Sequence, residues 1–391
     1  MKPISKTNFK FRFCFSYYSI ILILFSILLS CSNEPAKTII NCEEIKVPKD
    51  ITKTIDLSDI TDSIDYLLLT TDSNDLIGEI SKLIYYKNSF YILDSKYSNS
   101  LLKFNIHGVL SAKYTPSKGP FWGSSILDFS INNNKIYAYN IISQSILILD
   151  TNLCIIKTIN VECAAKNIEA INDYLVLYTN KMITDESGAN EILLFSHKGK
   201  LIKRFLNFDK NKYIGYSPEN VLNKYGTNIS IFTSLRDTIY CLKNKKLYSR
   251  YNLLFNNPLP NECKNDILKL SLINKKCNFL INNFIETNDW IYFNYSEDCN
   301  IKDIFISKLS KSKFFYHHIT NFAFGQNYIA KPKFSVDNKF IFILNNIENW
   351  VPDSTNISRL EKLKFRKLLN LKKFTNYNSN FILMFVKLKK L

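Results

Sequence analysis

The chain has 391 residues and a formal net charge of +17, yet only nine glycines, four histidines and three tryptophans. So few glycines exclude a glycine-rich phosphate loop, and four scattered histidines leave little material for a metal cluster, so no metal or other cofactor is expected. The basic residues are dispersed among Asn, Ile and Tyr without forming stripes, which argues against nucleic acid as a partner.

At the N-terminus Lys2, Lys6, Lys10 and Arg12 precede an uncharged apolar run from Phe13 to Leu29. This is the pattern of a signal peptide, and the run is at the short limit for a membrane span. It ends Leu28-Leu29-Ser30-Cys31, which resembles the lipobox of bacterial lipoproteins. Cleavage would leave Cys31 as the first residue of the mature chain and the site of lipidation, so acyl chains there would hold the protein to a membrane. The reading divides the chain into a signal peptide (1–30), a polar tether (31–52) and a folded body (53–391).

Short runs of Ile, Leu, Tyr, Phe and Val follow, separated by Asn, Asp, Ser and Lys turns, with the period-two alternation of β-strands. The first group takes Ile80 to Tyr85, Phe90 to Leu93, Leu101 to Asn105 and Val109 to Tyr114; the second Ile126 to Ile131, Lys135 to Tyr139, Ile146 to Asp150 and Ile155 to Ile159. The third takes Asn167 to Ala170, Tyr174 to Tyr178, Glu191 to Ser196 and Leu201 to Phe205. In the fourth only Asn228 to Thr233, Thr238 to Leu242 and Leu247 to Leu254 stand out. Phe284 to Thr287, Trp290 to Tyr295, Asp303 to Lys308 and Phe314 to His318 form the fifth. Lys333 to Val336, Phe340 to Leu344 and Phe381 to Leu388 form the sixth, one strand short.

Phe104, Leu149 and Phe195 occupy equivalent places 45 and 46 residues apart. A repeat of that length with four strands is a propeller blade, whose sheet faces are buried only against neighbouring blades. The expected fold is therefore all-β, a six-bladed β-propeller. A strand from Ile64 to Thr70 would complete the sixth blade and join the two ends of the body. Between 356 and 374, Leu360, Leu363, Leu368 and Leu371 fall at helical spacing, which predicts a short helix inserted in the last blade, packed on its rim.

Several phrases carry a family likeness: Asp65-Tyr66-Leu67-Leu68-Leu69 before Leu76-Ile77-Gly78-Glu79-Ile80, Gly119-Pro120-Phe121, Asp237-Thr238-Ile239-Tyr240, and the closing run Asn378 to Lys389. In that order they resemble the six-bladed β-propeller lipoproteins of Bacteroidetes, with blades similar to NHL-type propellers. The resemblance implies export and an outer-membrane lipoprotein on the periplasmic or cell-surface side. Where that family often carries an acidic residue in a Gly-Pro loop, this chain has Ser117-Lys118-Gly119-Pro120-Phe121-Trp122-Gly123. The loop chemistry would then lean on Lys118 and Trp122.

Catalytic signals are sparse. His107 and His197 sit in matching turns, while His317 and His318 point to opposite faces of one strand. Asp94, Asp128, Asp173, Asp237, Glu286 and Asp289 would be turn residues or part of a ring of acids around an axis. Seven cysteines follow Cys31, an odd number without any CxxC pair. Cys263 with Cys277 is the candidate disulfide, and buried apolar packing is expected for most of the others.

The function expected is non-enzymatic: a membrane-anchored monomeric propeller that binds a partner protein or a glycan, with Lys118, Phe121, Trp122 and Trp290 as ligand-binding candidates. The alternative is a propeller hydrolase or lyase acting on a lactone or polysaccharide. Three or more acids with a histidine at the axial mouth would favour that alternative, whereas a mouth of lysine and aromatic residues favours binding.

Overall fold

Tight hairpins set the local structure. Because glycine is scarce, the left-handed turn positions fall largely to Asn and its neighbours. Lys87-Asn88 (φ 46° and 58°), Asn133-Asn134 (49° and 59°), Asn244-Lys245 (50° and 59°) and Asp337-Asn338 (45° and 63°) each hold two consecutive positive φ values. That is the two-residue turn whose twist matches flanking antiparallel strands, and Asn adopts it at low steric cost.

The computed structural model describes residues 42–49, 54–72, 75–116, 125–171, 173–210, 218–233, 235–264, 269, 277–297, 300–309, 313–316, 318–320, 331–344, 367, 370 and 381–390. Before the first blade lie β1 (Glu43–Lys46), β2 (Thr54–Asp56), the single-turn helix α1 (Leu57–Ile60) and β3 (Thr61–Leu68). Blade 1 comprises β4 (Lys82–Tyr86), β5 (Ser89–Asp94), β6 (Ser100–Asn105) and β7 (Leu110–Tyr114). Blade 2 is β8 (Ile126–Asn132), β9 (Lys135–Asn140), β10 (Ser145–Leu149) and β11 (Ile155–Asn160), and blade 3 is β12 (Asn167–Ile171), β13 (Tyr174–Tyr178), β14 (Asn190–Phe195) and β15 (Leu201–Asn207).

Blade 4 is β16 (Leu222–Tyr225), β17 (Asn228–Phe232), β18 (Thr238–Lys243) and β19 (Lys246–Leu254), with β1 added in parallel along the outer edge of β19. Blade 5 is β20 (Phe279–Glu286), β21 (Trp290–Glu297), β22 (Asn300–Ser307) and β23 (Lys313–Tyr316); β24 (His318–Thr320) pairs in parallel with β2. Blade 6 is β25 (Phe334–Val336), β26 (Lys339–Leu344) and β27 (Ile382–Leu388), and its outermost strand is β3.

The innermost strands touch in a closed circuit: β4 with β8, β8 with β12, β12 with β16, β16 with β20, β20 with β25, and β25 with β4. Six apolar clusters lie between the blades, one for each adjacent pair. Successive residues of a middle strand serve different neighbours. Tyr91 and Leu93 of β5 pack toward blade 2, whereas Phe90 and Ile92 pack toward blade 6. Middle strands are therefore apolar on both faces, which is why their sequences read as near-continuous hydrophobic runs.

The ring is shut by antiparallel pairing of β3 with β27, in a register that sets Leu68 against Ile382, Tyr66 against Met384 and Ile64 against Val386. This is the six-bladed closure by first and last strands that the repeat predicts. Four strands lie outside the runs read from the sequence: β1, β2, β16 and β24, the last meeting the fifth group only at His318. The innermost strand of blade 4, β16, reads Leu-Asn-Lys-Tyr, and β1 lies within the stretch 31–52 taken as tether. Of the helix expected over 356–374, Lys367 and Asn370 are the described residues, and both are helical.

Candidate functional site

Alternate side chains of the innermost strands face the ring axis. Two adjoining cavities of about 300 and 180 Å³ lie there and share Lys82, Asn220, Leu222, Lys333 and Phe334. Together they form an axial channel.

A charged network from three consecutive blades crosses this channel. The ammonium of Lys82 on β4 is 2.9 Å from Asp128 Oδ1 on β8 and 3.0 Å from Glu169 Oε1 on β12. The Ser130 hydroxyl donates to Glu169 Oε2 at 2.6 Å and accepts from the backbone N–H of Ala170 at 3.0 Å. Asp128 also accepts from the backbone N–H groups of Phe129 at 2.8 Å and Ile168 at 2.9 Å. Burial works against the Lys82 charge, but Asp128 and then Glu169 outweigh it and hold the ammonium above the ordinary lysine range. Both carboxylates are thereby committed: they lock blades 1, 2 and 3 together and satisfy one buried cation.

The other lysines of the channel are held differently, and Glu79, Glu219 and Asp337 line the cavities with them, Glu79 paired to Lys96 at 3.0 Å. Lys224 on β16 donates to the carbonyls of Ala170 at 3.1 Å and Ile131 at 3.3 Å, and burial pulls its ammonium below the usual range, with Glu169 opposing and Lys82 reinforcing the shift. Lys166, whose ammonium donates to the Pro218 carbonyl at 2.7 Å, is also lowered by burial, with Glu219 and then Asp128 opposing. Lys333 lines both cavities, and Tyr85 and Phe334 supply aromatic surface. The described lining contains no histidine. Among the described residues no group of three or more His, Cys, Asp or Glu converges as a metal site.

The acids singled out in the sequence are dispersed. Only Asp128 faces the channel. Asp94 accepts from the backbone N–H groups of Gly78 and Tyr97 at 2.8 and 2.9 Å, Asp237 pairs with Lys264 at 2.8 Å, and Asp289 accepts from Asn338 at 2.6 Å. Glu286 joins blades 4 and 5, with Arg250 Nη2 at 2.5 Å, Lys308 Nζ at 2.6 Å and the Ser230 hydroxyl at 2.9 Å.

Trp290 is 3% exposed and packs with Leu57, Ile60, Tyr292 and Phe340 in the core between blades 5 and 6, away from the channel. Cys31, Lys118, Phe121, Trp122 and His317 lie outside the described residues. His107 is exposed on the turn between β6 and β7, and His197 bonds the Ile171 carbonyl through Nε2 at 2.9 Å. Cys263 and Cys277, the candidate disulfide, lie in one small apolar cluster with Leu235 and Leu259 but are not joined by a disulfide.

The residues sequence reasoning missed are Lys82, Glu169 and Lys224. For Lys82 and Glu169 a signal was present, a charge inside an otherwise apolar inner strand, with Lys82 and Asp128 separated by 46 residues, one blade length; β16, which carries Lys224, offers none.

Six blades of four strands, one of them extended by β1, closed around a polar, charged axis define a six-bladed β-propeller. The chain belongs to the family described as Domain of unknown function (DUF4934), whose model matches residues 39–387. Among solved structures it is similar to a protein of Bacteroides fragilis described as exported, at 18% identity and a TM-score of 0.69, covering 89% of this chain and 99% of that one. A member of the DUF4221 family from Bacteroides vulgatus matches at 10% identity and a TM-score of 0.49, covering 85% of this chain and 100% of that one. An inactive variant of virginiamycin B lyase from Staphylococcus aureus, solved with quinupristin, matches at 11% identity and a TM-score of 0.40, covering 78% and 79%. No curated protein sequence matches the chain.

Proposed function

We propose that the protein is an exported lipoprotein, held to the outer membrane by acyl chains on Cys31, whose propeller binds a partner protein or glycan through an anionic group drawn into the axial channel. The observation that carries this reading is the placement of Lys224 at the axis, where its ammonium donates to the carbonyls of Ala170 and Ile131. Lys224 carries its charge in a partly desolvated setting, while Glu169, the acid that most opposes the loss of that charge, is already bound to Lys82. A carboxylate or sulfate entering there would relieve the burial of charge that lowers Lys224.

The same arrangement supports binding over catalysis. A hydrolase or lyase needs an acid or base able to exchange protons with substrate; of the channel acids Asp128 and Glu169 are bound to Lys82 and Glu79 to Lys96, and no histidine accompanies Glu219 and Asp337 in the described lining. Export is supported by the Leu28-Leu29-Ser30-Cys31 ending of the apolar run and by the description of the Bacteroides fragilis neighbour.

The test is calorimetric titration with oligogalacturonides and with acidic peptides, against the wild type and against Lys224→Gln and Lys333→Gln. Binding that weakens at least tenfold in either variant, and falls with added salt, is the expected result. Turnover of a polysaccharide or lactone, or binding indifferent to both substitutions, would overturn it. Labelling with radioactive palmitate in the native host should mark the wild type and not Cys31→Ser.

A further inference from the structure

The interface between blade 6 and blade 1 does not close along its whole length. Between β3 and β27 on one side and the β4–β5 and β6–β7 hairpins on the other lies a cleft of about 620 Å³, within the usual range for small-molecule sites. Its outer end is pinned. The backbone N–H of Thr70 donates to the Gly108 carbonyl at 2.7 Å, and that of Leu110 donates to the Thr70 carbonyl at 3.2 Å. Val336 and Tyr85 border the inner end, where the same residues also line the axial channel.

The cleft has an aromatic floor. Phe90 is buried, with the ring of Tyr85 centred 4.9 Å away and that of Phe385 5.8 Å away, tilted by 44° and 50°. Ile106 and Val109, each about half exposed, flank the mouth. Charge on the rim is balanced: Asp65 pairs with Lys367, and Asp337 and Lys339 lie at the neighbouring turn, with His107 opposite.

An aromatic floor takes the C–H face of a flat ring. A rim with as many carboxylates as ammoniums gives no advantage to a net charge, but it does serve a ligand whose groups both donate and accept hydrogen bonds, which is the property of hydroxyls. We propose that this cleft is a binding site for a neutral oligosaccharide, one sugar ring lying on Tyr85, Phe90 and Phe385 and its hydroxyls reaching Asp337, Lys339 and His107. The site differs from the axial channel in its floor of three adjoining aromatic rings, although Tyr85, Val336 and Asp337 line both.

Calorimetry on the purified wild-type protein with maltotriose, cellotriose, mannotriose, xylotriose and N,N′,N″-triacetylchitotriose tests the proposal. At least one should bind, with affinity lost tenfold or more in Tyr85→Leu and in Lys339→Met and unchanged in Lys224→Gln. Lys339→Met keeps the aromatic floor, so it reads the site even where Tyr85→Leu fails to fold. No binding by any of the five at millimolar concentration, or binding lost in Lys224→Gln but kept in Lys339→Met, would overturn it. So would a preference of the cleft for trigalacturonate over every neutral trimer, since that would contradict the balanced rim. Loss of acidic-ligand binding in Lys224→Gln, with trisaccharide binding intact, would separate the two sites.

Discussion

Replacing Asp303 by Asn should make the protein less sensitive to rising pH. Asp303 on β22 is fully buried, accepts the Tyr292 hydroxyl at 2.7 Å through Oδ1, and has no hydrogen-bond partner for Oδ2 among the described residues. Burial pushes its carboxyl up to about 6 from 3.8, with the Tyr292 hydrogen bond and then the Lys331 charge pulling the other way. A raised acid is neutral in the fold while the unfolded chain has already ionised. The stability it contributes is therefore intact below pH 3.8 and is lost as pH climbs through 6.

The shift is worth about 3 kcal/mol in all, and roughly 2 kcal/mol of it falls between pH 4.5 and 7.5. Asn keeps the oxygen that accepts from Tyr292 and carries no charge. Urea unfolding of the wild type and Asp303→Asn at several pH values isolates the effect, because other titrating groups cancel in the difference. Relative to the wild type, Asp303→Asn should gain stability by that amount as pH rises over the interval. A difference between the two proteins that stays constant with pH would refute the assignment.

Gly108→Ala should lower the melting temperature by several degrees, because its φ is +79° and an added Cβ would sit 1.9 Å from the Leu68 carbonyl oxygen, against the strand that closes the ring. Glu286→Ala should cost on the order of 3–5 kcal/mol in chemical denaturation, since Arg250 and Lys308 would keep their charges without the carboxylate between them. Met384→Ala, at a fully buried position of β27, should cost about 2–5 kcal/mol and speed unfolding, as measured by stopped-flow fluorescence.

The architecture was legible because the middle strands bury both faces. Leu101-Leu102, Ile146 to Leu149 and Ile192 to Phe195 recur at blade spacing, and a period so carried survives variation in any one residue. Strands with a face on water or on the channel were harder to see. In β16, Asn223 and Lys224 line the axis and only Leu222 is fully buried, so the segment lacks the alternation of a half-buried strand. In β1, Ile45 is the single buried side chain, and what fixes the strand is backbone pairing with β19, to which side-chain pattern is blind.

The site was less legible for the same reason. Aromatic side chains drew attention to Trp290, but a large ring is more readily accommodated in a blade interface than at an axis, and that is where it lies. Lys82, Asp128 and Glu169 look like ordinary surface charges until the ring brings three blades around one ammonium.

Because β3 comes first and β27 last among the ring-forming strands, the disc stays a horseshoe until the final strand has been made and delivered. Throughout that interval β3 and β26 each present an unsatisfied rim of amides, open to any extended chain nearby. The molecule thus shields its most adhesive borders only at the end of its own biogenesis, and it is then, more than at any later time, that it depends on being kept apart from its neighbours.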